Sequence, residues 1–254
     1  VGGDITAGLL ALDLDRAEGN HLFLDVGTNG EMALGGKDGF LTCAVASGPA
    51  FEGAGISCGM PAAAGAISRF YLSGDELCYE VIGGGEPRGI CGSGLLDLAA
   101  CLLSLGYITG GGQLLCEDEE SGENIFPITE TVFLTAEDVR QLQLAKAAVA
   151  AGIRVLLEKS GLACRDIDDV HLAGGFGNRL NPESAAAIGM LPQELLGKVK
   201  FSGNTALAGA EKVLLSGEES RLLKLQSMCR YLELSGNAHF SEAFIEEMAF
   251  PAEP

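Results

Sequence analysis

The 254-residue chain has no tryptophan, three histidines and 6% aromatic residues, which leaves no ready stacking box for a base beyond Phe176. Basic residues are also scarce: 16 Lys and Arg stand against 35 Asp and Glu, a formal charge of −19. That balance excludes a general grip on nucleic acid or on an anionic membrane surface. Any phosphate must be held by backbone donors, helix termini and a metal. No Cys-x-x-Cys occurs, although there are eight cysteines. They are scattered and several lie in apolar stretches, as Cys43 does in Leu-Thr-Cys-Ala-Val-Ala, so they read as reduced thiols of a cytoplasmic protein. No signal peptide is visible in these residues, and no apolar run is long enough to span a membrane. His21, His171 and His239 show no metal-ligand spacing and read as structural. Neither a Gly-Lys-Ser/Thr phosphate loop nor a Ser-His-Asp arrangement is found.

What the chain does have is a 47% hydrophobic composition, enough for a sizeable core in one large domain or two small ones. Its most informative stretch is Leu24 to Glu31, Leu-Asp-Val-Gly-Thr-Asn-Gly-Glu. An apolar run ends in Asp25, breaks at Gly27, Thr28, Asn29 and Gly30, and resumes at Met32, which is the pattern of a tight hairpin. Gly27 and Gly30 let backbone N–H groups approach an anion, and Thr28 and Asn29 add side-chain donors. Asp25, at the strand end, is placed to hold a divalent cation through water. A plain hairpin with a satisfied Asp accounts for the same residues.

Apolar runs at about 21–26, 31–35 and 40–46 predict three strands. A region from Ser47 to Arg69, rich in glycine and alanine, reads as mixed loop and helix, Glu76–Ile82 as a strand, and Ser93–Leu105 as a buried helix. The segment 110–134, with its acidic run Glu117–Glu123, reads as an exposed excursion. Thr135-Ala-Glu-Asp138 is a capping box that opens the longest helix. Asp169–Ala173 reads as a strand running into the glycine turn Gly174-Gly175-Phe176-Gly177, and Asn181-Pro182-Glu183 as a helix start. Lys198–Phe201 is a last strand, followed by the helix Thr205–Leu215 and a helical region from about Glu218. The order predicts an α/β domain: a mixed sheet, antiparallel at first and parallel later, with helices on both faces. Ligands on such sheets gather at the carboxyl ends of strands.

Three further patterns carry chemistry. At Gly174, Gly175, Phe176 and Gly177 the missing side chains let a flat base or ribose lie against the backbone; packing alone also explains the glycines. Ser47-Gly-Pro-Ala-Phe-Glu-Gly53 offers one carboxylate, Glu52, that suits positioning water or a metal, or merely capping nearby donors. Gly89-Ile-Cys-Gly-Ser-Gly94 opens a helix whose free N–H groups suit an anion, with Ser93 as a simple N-cap the alternative. Glu31 either joins the hairpin site or points to solvent.

Taken together, the hairpin followed far downstream by Leu-Ala-Gly-Gly-Phe-Gly resembles one half of the superfamily of acetate kinases, sugar kinases, heat-shock chaperones and actin. In that fold two ribonuclease-H-like domains grip ATP between two phosphate hairpins. More closely, Val-Gly-Gly-Asp-Ile-Thr-Ala-Gly, Ser-Gly-Pro-Ala-Phe-Glu-Gly-Ala, Gly-Ile-Cys-Gly-Ser-Gly-Leu-Leu-Asp, Leu-Ala-Gly-Gly-Phe-Gly-Asn, Gly-Asn-Thr-Ala-Leu-Ala-Gly-Ala and Tyr-Leu-Glu-Leu-Ser, in that order, resemble the carboxy-terminal domain of the reductive activators of corrinoid proteins. The resemblance implies that residues 1–254 are the second ribonuclease-H-like half of an actin-like ATPase domain, with 1–20 a connecting segment from the first half.

It implies ATP and Mg²⁺ as ligands, Asp25 as the metal-holding carboxylate, and Gly27, Thr28, Asn29 and Gly30 as phosphate contacts. Gly174, Gly175, Phe176 and Gly177 would form the adenosine turn, and Glu52 would organise the attacking water or metal shell. The expected partner is a corrinoid (cobalamin-binding) protein, whose cob(II)alamin such activators return to cob(I)alamin. Nucleic acid and membrane are not expected partners, and a homodimer of the full-length protein is compatible with the resemblance. The family's [2Fe-2S] domain and first phosphate hairpin, Asp-x-Gly-Thr-Thr, are not in these residues, so the fragment alone is expected to be inactive. Three alternatives stay open. They are a corrinoid-protein docking domain without catalysis, an activator of a 2-hydroxyacyl-CoA dehydratase, and a small-molecule kinase of the same superfamily.

Overall fold

A computed structural model describes residues 2–117, 122, 124–177 and 180–251. Asn178 and Arg179 of the glycine-turn motif, and most of the acidic run Glu117–Glu123, lie outside the described residues.

The chain begins with α1 (Gly3–Ala11) and then forms the meander β1 (His21–Val26), β2 (Gly30–Gly36) and β3 (Gly39–Val45). In β1 nearly every side chain is buried. Alternation sends Leu22, Leu24 and Val26 to one face and Phe23 to the other, and both faces are covered. A 3-10 turn at Pro49–Glu52 leads to β4 (Ala66–Ser73), β5 (Glu76–Val81) and β6 (Gly89–Ile90), a separate three-stranded sheet in the order β5-β4-β6. The helix α2 (Gly92–Ser104) packs on β4. The excursion holds a short hairpin, β7 (Ile125–Pro127) and β8 (Phe133–Thr135), with Tyr107 edge-on to Phe126 at 5.1 Å.

The longest helix, α3 (Ala136–Ser160), starts at the expected capping box. The Asp138 N–H donates to Thr135 Oγ1 at 3.1 Å, and the Thr135 N–H donates to Asp138 Oδ2 at 2.9 Å. It ends at Gly161, whose φ of 71° is left-handed. After it come β9 (Asp169–Ala173), the single turn α4 (Gly174–Gly177), α5 (Pro182–Ala187), β10 (Val199–Gly203), α6 (Thr205–Ser216), α7 (Glu219–Met228), β11 (Cys229–Tyr231) and α8 (Ala238–Glu246). The main sheet has six strands in the order β10-β9-β1-β2-β3-β11. β1, β2 and β3 pair antiparallel, whereas β9, β10 and β11 join in parallel.

Two cores lie on opposite faces of this sheet. Leu22, Leu24, Met32, Leu34, Cys43 and Val45 meet α3, and α2 extends the same cluster. Phe23, Ala33, Phe40 and Ala173 meet Ile5, Leu9 and Leu10 of α1 and Leu225 of α7. The mixed sheet covered on both faces is thus present. The opening helix packs on the sheet and on α6, although the residues before β1 offer it no strand of their own.

Three expectations change. Ala66–Ser73 is a strand that begins within the stretch read as loop and helix, because a bulge between Ile67 and Arg69 places two polar residues before Phe70 and breaks the alternation. The glycine turn 174–177 is a turn of helix rather than open loop. A third parallel strand, β11, interrupts the expected terminal helical region.

Candidate nucleotide cleft

β1 and β9 run in parallel with Asp25 opposite Ala173, so the hairpin and the glycine turn emerge side by side at the carboxyl ends of adjacent strands. Gly174 has φ +85°, and a Cβ there would collide with Asp25 Oδ1. Only glycine combines that backbone with that close approach. Sequence-distant motifs are therefore in van der Waals contact. Between them opens a cleft of about 620 Å³ lined by Asp25, Gly27, Glu52, Gly92, Gly175 and Phe176, among others.

On the hairpin, the Gly27 N–H donates to the Asn29 carbonyl at 3.1 Å, closing the turn. The loop is anchored from behind: Ser47 Oγ donates to the Gly27 carbonyl at 2.8 Å, and the Gly48 N–H donates to the Thr28 carbonyl at 3.0 Å. The Thr28 N–H and hydroxyl both donate to Glu52 Oε1, at 3.1 and 2.8 Å. Glu52 thus caps the two donors that an incoming phosphate oxygen would use. A phosphate and this carboxylate cannot share them, so anion binding requires Glu52 to swing away or to share a cation with the phosphate.

Asp25 is half-buried and accepts no hydrogen bond among the described residues. Burial pushes its carboxyl pKa up, and the nearby charges of Asp4 and Glu31 push it further. A carboxylate held in this way, facing a cleft, fits a divalent cation that keeps most of its waters. Asp4 is a contributor that the sequence did not reveal, since nothing near α1 marks it as a neighbour of the hairpin. Glu31 does not simply point to solvent: it accepts the Gly2 N–H at 3.1 Å.

Phe176 stacks on Phe51, centroid to centroid 4.7 Å and 11° from parallel. Phe51 belongs to the same turn as Glu52 and is buried. It fixes the ring that borders the cleft, a pairing that the sequence, read motif by motif, did not reveal. Gly175 has open space where a side chain would project. At the start of α2 the expected Ser93 cap is replaced. Cys91 is the N-cap and makes no side-chain capping bond, and Ser93 Oγ donates instead to the Ser68 carbonyl at 2.8 Å. Cys91, Gly92 and Ser93 still line the cleft with the helix N-terminus. The eight cysteines are all free thiols; burial pushes that of Cys43 up to about 12.

A mixed sheet that carries a glycine-rich hairpin, an acidic strand end and a glycine turn at the carboxyl ends of two parallel strands has the layout of the ASKHA class. Over residues 19–254 the chain matches the family described as the C-terminal domain of RACo, the ASKHA domain, and it belongs to that family. It is 34% identical to the corrinoid activation enzyme RamQ of Eubacterium limosum, an alignment covering 98% of this chain and 46% of that protein. It is 31% identical to the [Co(II) methylated amine-specific corrinoid protein] reductase of Methanosarcina barkeri, over 87% of this chain and 43% of the relative. A solved reductive activator for corrinoid, iron-sulfur protein superposes with a TM-score of 0.88 at 39% identity, covering 99% of this chain and 43% of that one. The chain spans less than half the length of these relatives. Among its described residues, no helix is long and apolar enough to cross a membrane.

Proposed function

We propose that this domain forms one wall of an ATP cleft in a reductive activator of a corrinoid protein. The observation that carries the reading is the contact between Asp25 and Gly174 beside a cleft that is also lined by Gly27, by Glu52 and by the α2 N-terminus. Gly27, Thr28, Asn29 and Gly30 would hold phosphate oxygens, Asp25 would hold Mg²⁺, and Gly174, Gly175, Phe176 and Gly177 would border the adenosine. A backbone-built grip suits a chain with few cations. Glu52 moves from its cap on Thr28 to orient the attacking water or the metal shell.

In the complete protein the opposite wall and a [2Fe-2S] domain complete the machine, and the partner is a cytoplasmic corrinoid protein. The cluster of that domain would supply the single electron that takes cob(II)alamin to cob(I)alamin. Binding and hydrolysis of ATP supply the closure that makes this uphill transfer proceed. A homodimer of the complete protein is part of the same reading, tested by sedimentation.

Calorimetric titration with a non-hydrolysable ATP analogue and Mg²⁺ tests the cleft, with Gly175→Val as control. Because Gly175 faces open space, valine there fills the cleft and spares the core. Binding that the control loses supports the reading, and binding that the control keeps sinks the assignment of the turn. In the complete protein, Glu52→Gln is expected to keep nucleotide binding and to lose about 10² or more of hydrolysis.

A further inference from the structure

At the opposite ends of the same two strands, His21 of β1 and Asp169 and His171 of β9 lie on the α1 face of the sheet, with His21 directly opposite Asp169. The His rings are 5.7 Å apart, and one ligand atom from each of the three residues falls within 4.8 Å of the others. Both histidines are more than nine-tenths buried, at 5% and 8% exposure. Each also carries a buried ring nitrogen without a partner among the described residues: Nδ1 of His21 and Nε2 of His171. Leaving such atoms unpaired is costly, and they need an occupant.

The remaining polar atoms of all three side chains are already held from outside. His21 Nε2 donates to the Glu18 carbonyl at 3.0 Å. A carbonyl only accepts, so the neutral ring carries its hydrogen on Nε2 and turns a lone pair inward at Nδ1. His171 Nδ1 pairs with Ser202 Oγ at 3.4 Å, which leaves Nε2 inward. Lys200 Nζ lies 2.7 Å from Asp169 Oδ1, while Oδ2 of the same carboxylate faces His21 Nδ1 at 3.6 Å. With Ser202 accepting from His171 Nδ1, two imidazole lone pairs and a carboxylate oxygen face one another. Outer partners that orient each ligand in this way are the mark of a metal centre.

We propose that His21, Asp169 and His171 form a binding site for a borderline-soft divalent cation such as Zn²⁺. Two imidazoles favour Zn²⁺ over Mg²⁺, which prefers oxygen ligands. Zn–N and Zn–O bonds of about 2.0–2.2 Å draw the three atoms somewhat closer than they stand, and water takes the fourth position. Entry is past Asp169, whose side chain is 24% exposed. The site lies four residues from Asp25, about 13 Å along β1, and stands whatever the cleft binds. Bound metal would cross-link β1 to β9, the two strands whose far ends carry the hairpin and the glycine turn.

The test is metal content and spectroscopy on the purified protein. After incubation with Zn²⁺ and exhaustive dialysis, the wild type is expected to keep one equivalent by elemental analysis and to gain a few degrees in Tm. His21→Ala and His171→Ala lose that equivalent with unchanged far-UV circular dichroism. Ser202→Ala and Asp169→Asn weaken Zn²⁺ binding at least about tenfold. Asp169→Asn sits at the exposed edge and carries the test if a histidine variant does not fold. Co²⁺ in place of Zn²⁺ is expected to give a four-coordinate visible spectrum without a thiolate charge-transfer band. The proposal is overturned if the folded wild type takes up no stoichiometric Zn²⁺, if Asp169→Asn binds as the wild type does, or if the Co²⁺ spectrum shows thiolate ligation at the free cysteines.

Discussion

The two ends of the β1–β9 pair obey opposite rules. At the carboxyl end glycine removes side chains so that a carboxylate, a helix turn and a hairpin crowd together without satisfying one another: Gly174 touches Asp25, and Asp25 has no donor among the described residues. At the amino end, among the described residues, the only buried side-chain polar atoms without a partner are His21 Nδ1 and His171 Nε2, and the incoming loop is clamped by charge. Arg221 holds Asp15 through two N–H groups, at 2.9 Å from Nε and 2.5 Å from Nη2, and reaches Asp13 at 2.6 Å; Lys212 adds a fourth contact to Asp13 at 2.8 Å. One end is frustrated and open, the other neutralised and closed. Functional sites commonly concentrate such unsatisfied chemistry while the surrounding scaffold supplies the stability.

The strongest way to break the contrast is to remove what both ends share. Phe23 sits fully buried between them on the α1 face. Phe23→Ala is expected to cost about 3–5 kcal/mol in chemical denaturation and to weaken nucleotide binding with it. Next is Gly174→Val, which collides with Asp25 and imposes a left-handed φ on a branched residue. A loss of about 2–4 kcal/mol and of nucleotide binding is expected; a stable variant that still binds would show that the crowding at Asp25 is incidental.

At the closed end, Arg221→Met strands Asp15, which like Arg221 is only 9% exposed in its side chain. About 2–3 kcal/mol should be lost, with nucleotide affinity unchanged in the folded protein. The same clamp sets the acid response. Arg221 first of all holds the Asp15 carboxyl below its ordinary value, and Lys212 does the same for Asp13. Their contribution is full above the unfolded carboxylate pKa of about 4 and fades as pH falls through the lower folded values. A urea midpoint followed from pH 5 to pH 2 should therefore decline less in Arg221→Met than in the wild type.

The smallest effect has the reverse sign. Asp25 is pushed up by burial and by like charges, so its ionised form burdens the folded state at neutral pH. Asp25→Asn is expected to raise stability by up to about 1 kcal/mol and to abolish Mg²⁺-dependent nucleotide binding. An unchanged or lowered Tm would mean that Asp25 is satisfied after all.

The local elements were largely legible. β1, β2 and β3, the capping box at Thr135, the Asn181 start and the strand Asp169–Ala173 all follow from alternation, caps and glycine punctuation, which act over a few residues. The candidate residues of the hairpin and the glycine turn were legible for the same reason. β4 was not, since a bulge between Ile67 and Arg69 breaks its alternation, and neither was β11, whose three residues carry too little pattern to register. The histidines look unconnected in the sequence because their spacing in the chain fits no ligand motif; the structure sets His21 and His171 against one carboxylate.

By itself, then, the sequence determined an α/β chain with a glycine-rich hairpin after an acidic strand end, a glycine turn and little positive charge. Only the tertiary structure decided which of these residues meet. The register of β1 on β9 puts Asp25 beside Gly174 at one end and His21 beside Asp169 at the other. A parallel pairing across that span of chain is set by packing on both faces of the sheet, and no local signal in either strand contains it.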